Sequence, residues 1–376
     1  MSGFAIKGWC PDAWHPMAAG DGLLVRVRPR LGQLTRAQVL GLCEAAIAHG
    51  NGLIDMTSRA NLQIRGVKDN GWPVLLERLI ALGLVAPDPV AEARHNILVA
   101  PEWQAGDDTA RIATGLAARL DELPDLPPKV GFAIDAGSAP VLTGDPGDFR
   151  IERGDQGGLI LRADGRPTGR AIQQGAEVDA LIALAHWFAD TGGSDAGRMA
   201  RHMAVLPAWA KGDWRPAPPA PALLPGQRPN AVAYRLPFGQ VEGHKLSALM
   251  GSDHLQMLRI TPWRMLLVEG APIREADGFL LAPGDPLARV DACPGAPLCP
   301  QATVETRDLA RRLAPHVDGR LHVSGCAKGC ARVLPAPVTL TGRDGLFDLA
   351  LDARAGGPAI RAGLSSAEVL DHFGAV

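Results

Sequence analysis

Six cysteines are spread unevenly over 376 residues, and four of them form a pattern that can do chemistry. Five residues separate Cys293 from Cys299 and three separate Cys326 from Cys330, in the turn-rich segments DACPGAPLCPQ and VSGCAKGCARV. Four such thiolates can hold zinc, hold a [4Fe-4S] cluster or be oxidised to disulfides. Structural zinc favours C-x₂₋₄-C knuckles, so the first pair counts against zinc without excluding it. Disulfides are disfavoured in a cytoplasmic chain. A cubane needs loops whose backbone N–H groups turn inward, and Gly295, Gly325 and Gly329 suit that need. Spacing therefore favours a cluster over zinc and over unrelated structural cysteines. Cys43, inside LGLCEAAIA, reads as a small core residue, and Cys10 has no partner motif.

A second constellation is cationic. In MTSRANLQIRG the polar side chains fall at every second position, Thr57, Arg59, Asn61, Gln63 and Arg65. On a strand of period two they share one face. Upstream, LLVRVR places Arg26 and Arg28 in the same alternation. If the two strands are neighbours, four arginines share a surface suited to several carboxylates at once. An ordinary solvated sheet face is the competing explanation, and an internal repeat argues against it.

Residues 22–67 run strand, Gly-Gln turn, helix, strand, Thr, strand, Gly, and the stretch from Asn230 to Gly270 repeats that order. Gly32-Gln33 matches Gly239-Gln240, Thr57 matches Thr261 and Gly66 matches Gly270. The chain thus reads as a duplication, with a helix about one turn shorter in the second copy. At the phase of Thr57, Arg59, Asn61 and Gln63 the second copy carries Thr261, Trp263, Met265 and Leu267. The sheet itself does not require polar groups there, so the first copy's polar face is expected to serve a ligand.

Each copy is followed by a further αβ stretch. Helices are expected near 108–122 and 303–314, leading into LPPKVGFAID and into LHVSG, which ends at Cys326. Thr35 with Gln38 and Ser365 with Glu368 read as capping boxes. Gly and Pro supply about a fifth of the chain, and seven prolines fall in 207–229, an extended connector. The expected architecture is α+β, with a first ferredoxin-like half-unit at 1–90, an αβ domain at 91–206, the connector at 207–229, a second half-unit at 230–285 and a cysteine-bearing αβ domain at 286–376.

Lys plus Arg number 38 against 40 Asp plus Glu, so a net charge of -2 gives no electrostatic reason to expect nucleic-acid or membrane-surface binding. No apolar run approaches a membrane span, the N-terminus shows no secretory h-region, and a soluble cytoplasmic protein is expected. No G-x-G-x-x-G after a strand and no P-loop is present, which leaves direct dinucleotide binding unsupported.

The TSRANLQIRG motif together with C-x₅-C and C-x₃-C resembles the siroheme and [4Fe-4S] sulfite and nitrite reductases, which share a duplicated fold. Within that superfamily, GWCPDAWHPMAAGDGLLVRVRP resembles the precorrin-3B synthases of oxygen-dependent cobalamin biosynthesis. The likeness spans nearly the whole chain. It implies a [4Fe-4S] cluster on Cys293, Cys299, Cys326 and Cys330. Sulfite reductases use two arginines and two lysines on the reacting face. Arg26 matches the first arginine, His95 stands where the second would be, Lys129 matches one lysine and Gly131 replaces the other. With two of four cations changed, sulfite reduction is disfavoured.

The precorrin-3B synthase branch implies conversion of the tetrapyrrole precorrin-3A with O2 and reducing equivalents, by ring hydroxylation and lactone formation. Arg28, Thr57, Arg59, Asn61, Gln63 and Arg65 would bind this polycarboxylate substrate; Arg26, His95 and Lys129 would act on the reacting face. The branch also implies a mononuclear non-haem iron, for which His95 is the first candidate ligand and His15 the second. A separate reductase or ferredoxin would deliver electrons. Siroheme belongs to the alternative reading, a sulfite or nitrite reductase in which Cys330 would bridge the cluster to the haem iron.

Overall fold

The computed structural model describes residues 10–375 and has four five-stranded sheets among them. Gly8 and Trp9 of the quoted N-terminal motif lie outside the described residues.

The first sheet is ordered Met17–Ala19, Gly22–Val27, Leu62–Val67, Leu53–Met56 and Gln240–Glu242. The second repeats it with Gly226–Gln227, Ala231–Arg235, Met265–Glu269, Met257–Ile260 and Gln33–Thr35. The last strand of each sheet therefore comes from the other copy. Gln33–Thr35 pairs antiparallel with Met257–Ile260, and Gln240–Glu242 with Leu53–Met56. This reciprocal exchange is set by a matching kink before each exchanged strand, where Leu31 and Phe238 take φ values of 51° and 58°. Gly32 and Gly239 follow at 67° and 73°. One continuous hydrophobic core, from Val25 and Ile64 through to Tyr234 and Val268, consequently joins the two copies.

The helix of the first copy, Arg36–His49, starts from the expected Thr35–Gln38 capping box. Its counterpart, Gly243–Leu249, has 7 residues against 14, about two turns shorter where one was expected. Arg36 explains the early stop: its guanidinium donates to the carbonyls of Met250 (3.0 Å) and Gly251 (3.2 Å), satisfying acceptors that the helix end leaves open.

The third and fourth sheets also correspond. Ile97–Val99, Phe132–Asp135 and Phe149–Arg153 run parallel, followed by antiparallel Leu159–Ala163 and Arg170–Ile172. In the fourth, Val290–Ala292, Leu321–Ser324 and Ala336–Arg343 run parallel, followed by antiparallel Leu346–Ala353 and Arg361–Leu364. The expected helices form at Asp108–Ala117 and Arg307–Leu313, and Ser365 and Glu368 make their capping box. Each of these sheets has its own core. The Pro-rich stretch runs extended along the third sheet, bridging Pro216 to Gly154 and Trp214 to Gly169. Among the described residues no helix is long and apolar enough to cross a membrane.

Candidate active site

The four cysteines come from two loops at the C-terminal ends of adjacent parallel strands. Cys293 directly follows Val290–Ala292, and Cys326 follows Leu321–Ser324 after one glycine. Gly325 N–H donates to Cys293 Sγ at 3.2 Å, and Thr306 Oγ1 donates to the Cys293 carbonyl at 2.5 Å. Cys293 is buried and Cys330 exposed. Burial raises the Cys330 pKa, Lys328 opposes the rise, and Cys293, Cys326 and Cys299 add to it, which places the four thiols in one electrostatic neighbourhood. The four thiols on loops that follow adjacent strands, with the Gly325 N–H turned to the Cys293 sulfur, are donors of the kind that a [4Fe-4S] cluster takes.

The cluster loop abuts the first sheet. Gly20 N–H donates to the Leu298 carbonyl at 3.1 Å, an approach so close that a Cβ on Gly20 would lie 2.1 Å from the Pro297 oxygen. Arg65 Nη2 reaches the same Leu298 carbonyl at 3.2 Å. Between the loops and the sheet lies Arg307, whose Nε and Nη1 are buried without partners. Burial dominates and lowers its pKa, against Asp55 and Cys293, which favour the charge.

The alternation over 57–65 is not one strand. Thr57 to Asn61 form the turn between Leu53–Met56 and Leu62–Val67, closed by Thr57 N–H to the Asn61 carbonyl at 2.9 Å, with Ala60 at φ 53°. Thr57 Oγ1 accepts from the backbone N–H of Arg59 and Asn61, so Thr57 shapes the turn. Thr261 does the same for Trp263 and Met265 in the second copy. Only Gln63 and Arg65 of the expected set lie on the strand itself, and Gln63 stands opposite Arg26 in the register.

The four arginines expected on one surface divide into two kinds. Arg65 is buried and ion-paired to both Asp21 (2.8 Å) and Asp55 (2.9 Å). The second copy carries Glu269 at the position of Arg65 and Arg259 at that of Asp55, and they too form an ion pair. The same pair with its charges reversed marks Arg65 as a structural residue. Arg28 is likewise engaged, donating to the Glu92 carbonyl at 2.7 Å and lying 3.6 Å from its carboxylate.

Arg26 and Arg59 differ: among the described residues neither makes an ion pair. Burial lowers the pKa of both. Arg26 hydrogen-bonds the Cys10 side chain and leaves Nε without a partner. Arg59 donates to the Lys129 carbonyl (2.8 Å) and to Asn96 Oδ1 (3.5 Å), near Arg198 and its partner Asp148. A cavity of about 590 Å³ is lined by Cys10 and Asn96, the partners of Arg26 and Arg59, and by Asp12, His15, Arg28 and the 123–128 loop among others, while Arg26 and Arg59 themselves do not line it. His95 is directed elsewhere, into a cavity of about 190 Å³ with Arg28, Arg30 and Glu92. Its Nε2 is buried without a partner, and burial beside those arginines pushes its pKa down to about 4.

A model of the nitrite/sulfite reductase ferredoxin-like half domain matches residues 15–82. A precorrin-3B synthase from Sinorhizobium sp is 32% identical, the alignment covering 93% of this chain and 84% of the relative. The chain belongs to the precorrin-3B synthase family. A ferredoxin–nitrite reductase from Synechococcus elongatus is 23% identical over 93% of this chain and 82% of its own length. The structure of Mycobacterium tuberculosis NirA shares the fold, with a TM-score of 0.58, 19% identity and coverage of 93% of this chain and 79% of that one.

For a member of the precorrin-3B synthase family, the structure adds residues that sequence reasoning passed over. Cys10, dismissed for want of a partner motif, touches Arg26. Asn96, the neighbour of His95, accepts from Arg59, a contact that the sequence reading did not foresee. Arg198 lies far along the chain from any motif, and Arg307, eight residues after Cys299, sits on a helix whose sequence gives no sign that it faces the cysteine loops.

Proposed function

We propose that the chain is a tetrapyrrole monooxygenase of cobalamin biosynthesis, converting precorrin-3A to precorrin-3B. One observation carries this reading: Arg26 and Arg59, two desolvated guanidiniums, lack the carboxylate partners that Arg28 and Arg65 have. Leaving a buried charge unpaired is costly unless a ligand supplies the counter-charge, and acetate and propionate groups on a tetrapyrrole would do so. The family relationship supports the same substrate.

In this reading Arg26 and Arg59 anchor carboxylates at the edge of the cavity that their partners Cys10 and Asn96 line together with Arg28, and Gln63 and Asn61 offer neutral contacts. Asn96 and the Lys129 carbonyl hold Arg59 in place. The Cys10 thiol, which lines the cavity, is the group we assign to move protons at the substrate, with the Lys129 ammonium as the further candidate from the sequence. A cluster on Cys293, Cys299, Cys326 and Cys330 and a mononuclear iron would supply electron transfer and oxygen activation. One oxygen atom of O2 enters the ring and the other leaves as water, with two electrons from a reductase or ferredoxin and two protons. No residue set for the mononuclear iron is assigned.

The test is iron analysis, an absorption spectrum and turnover of anaerobically purified protein. About four cluster irons plus one, no siroheme bands and an O2-dependent gain of one oxygen atom in the product are expected. A siroheme chromophore with sulfite or nitrite reduction would establish the alternative instead.

A further inference from the structure

The duplication gives the substrate cavity a counterpart on the second copy, and that counterpart is not filled in. It is a cavity of about 430 Å³ lined by Arg235, Arg264, Arg320, Trp263 and Thr143, with Pro219–Leu223 of the connector as its roof. Its residues correspond to those of the first site by register. Arg235 stands where Arg28 stands, five residues before the exchanged strand. Arg320 precedes Leu321 as Gly131 precedes Phe132, so the cation missing from the first copy's loop is present here. Trp263 takes the place of Arg59 in the Thr-anchored turn.

The charge is unbalanced. Arg264 (2.7 Å), Arg320 (3.1 Å) and Arg332 (3.5 Å) all converge on Asp291, while Arg235 makes no ion pair among the described residues. Asp291 is the one acidic residue in the cavity lining. Arg264 adopts φ 61°, the conformation that Ala60 takes at the same position of the turn in the first copy, so the backbone there is common to both copies and the guanidinium is what differs. Apart from Ser58, the rest of the lining, Val141, Pro262 and Met265, is apolar.

We propose that this cavity is a second ligand site, for an organic anion with a compact aromatic or apolar body and at least two carboxylates. The body packs on Trp263 and the apolar wall, and the carboxylates meet Arg235 and Arg320 in forked pairs. The inference does not depend on the reaction proposed above.

Calorimetric titration of the intact iron-loaded protein with phthalate, benzoate and inorganic phosphate at matched ionic strength tests it. Phthalate is expected to bind, with benzoate weaker by about tenfold or more because it lacks the second carboxylate. The double substitution Arg235→Gln with Arg320→Gln should remove one binding equivalent that Arg26→Gln retains. Thr143→Trp, which fills the cavity and leaves each arginine in place, should remove it too, guarding against a variant that merely misfolds. Failure of phthalate to bind, or an unchanged isotherm in both cavity variants, would overturn the proposal. Phosphate binding as tightly as phthalate would overturn the organic body and leave a site for charge alone.

Discussion

The two copies of the half-unit have the same strand order, the same exchanged strand and the same Thr-anchored turn, yet they treat charge differently. The first presents Arg26 and Arg59 without carboxylate partners, where the second has Ala233 and Trp263. The second gathers Arg264, Arg320 and Arg332 around Asp291, where the first has the apolar Leu98. Backbone geometry is therefore indifferent to these side chains, and the polar groups that differ are the ones to which we assign ligands. Groups that are structural recur instead in equivalent form, as the Arg65–Asp55 and Glu269–Arg259 pairs do.

The largest expected effect separates the two αβ domains. Cys326→Ala removes one of the four thiolates proposed to hold the cluster, and iron content should then collapse from about four cluster atoms per chain, read by iron assay with loss of the visible absorption. Ser138→Ala, in the corresponding loop after Phe132–Asp135, should leave both unchanged. Equal iron in the two variants would dissolve the contrast between the loops.

Next in size is Arg65. Arg65→Ala strands Asp21 and Asp55 in a buried place, and the penalty for breaking such a pair is about 3–5 kcal/mol. Urea unfolding should show that loss. Arg26→Gln, which breaks no ion pair, should cost far less stability while weakening tetrapyrrole binding. Removing one charge-assisted contact of about 1.5–3 kcal/mol corresponds to roughly tenfold to hundredfold in Kd. Trp263→Phe, at the second-copy position of Arg59, should leave that affinity unchanged in a fluorescence titration.

Much of this was legible in the sequence because the signals are local. Cysteine spacing, the Gly-Gln and Thr anchors of the repeat and both capping boxes depend on neighbours a few residues away, and the duplication and α+β architecture followed from them. Three things were not local. Period-two alternation continued through a turn, because Thr57 Oγ1 and the positive φ of Ala60 reverse the chain without interrupting the pattern. The identity of each arginine's partner was invisible: Asp21 is 44 positions from Arg65, and Glu92 is 64 from Arg28. The shortened second helix depends on Arg36, which is 214 positions from Met250.

His95, whose effect appears only as a change with pH, gives the sharpest use of the comparison, since its register counterpart in the second copy is Ala288, which cannot titrate. Burial beside Arg30 and Arg28 holds the folded His95 pKa near about 4, below its ordinary 6.5. An unfolded chain then binds the proton more readily than the folded one, so stability rises with pH across that window. The contribution is fully present above the ordinary pKa, is lost as pH falls from 6.5 toward 4, and levels off below; its size is on the order of 3 kcal/mol. Asp135, whose buried carboxyl is raised to about 6, pulls the opposite way between its ordinary 3.8 and that value, so total stability alone cannot isolate the histidine. The difference between wild type and His95→Gln can. Urea midpoints at pH 7 and pH 4.5 should converge in the variant by most of the His95 contribution, while Ala288→Gln leaves the wild-type slope intact. If both variants keep that slope, His95 is not held neutral by its surroundings, and the cavity it shares with Arg28 is open to water.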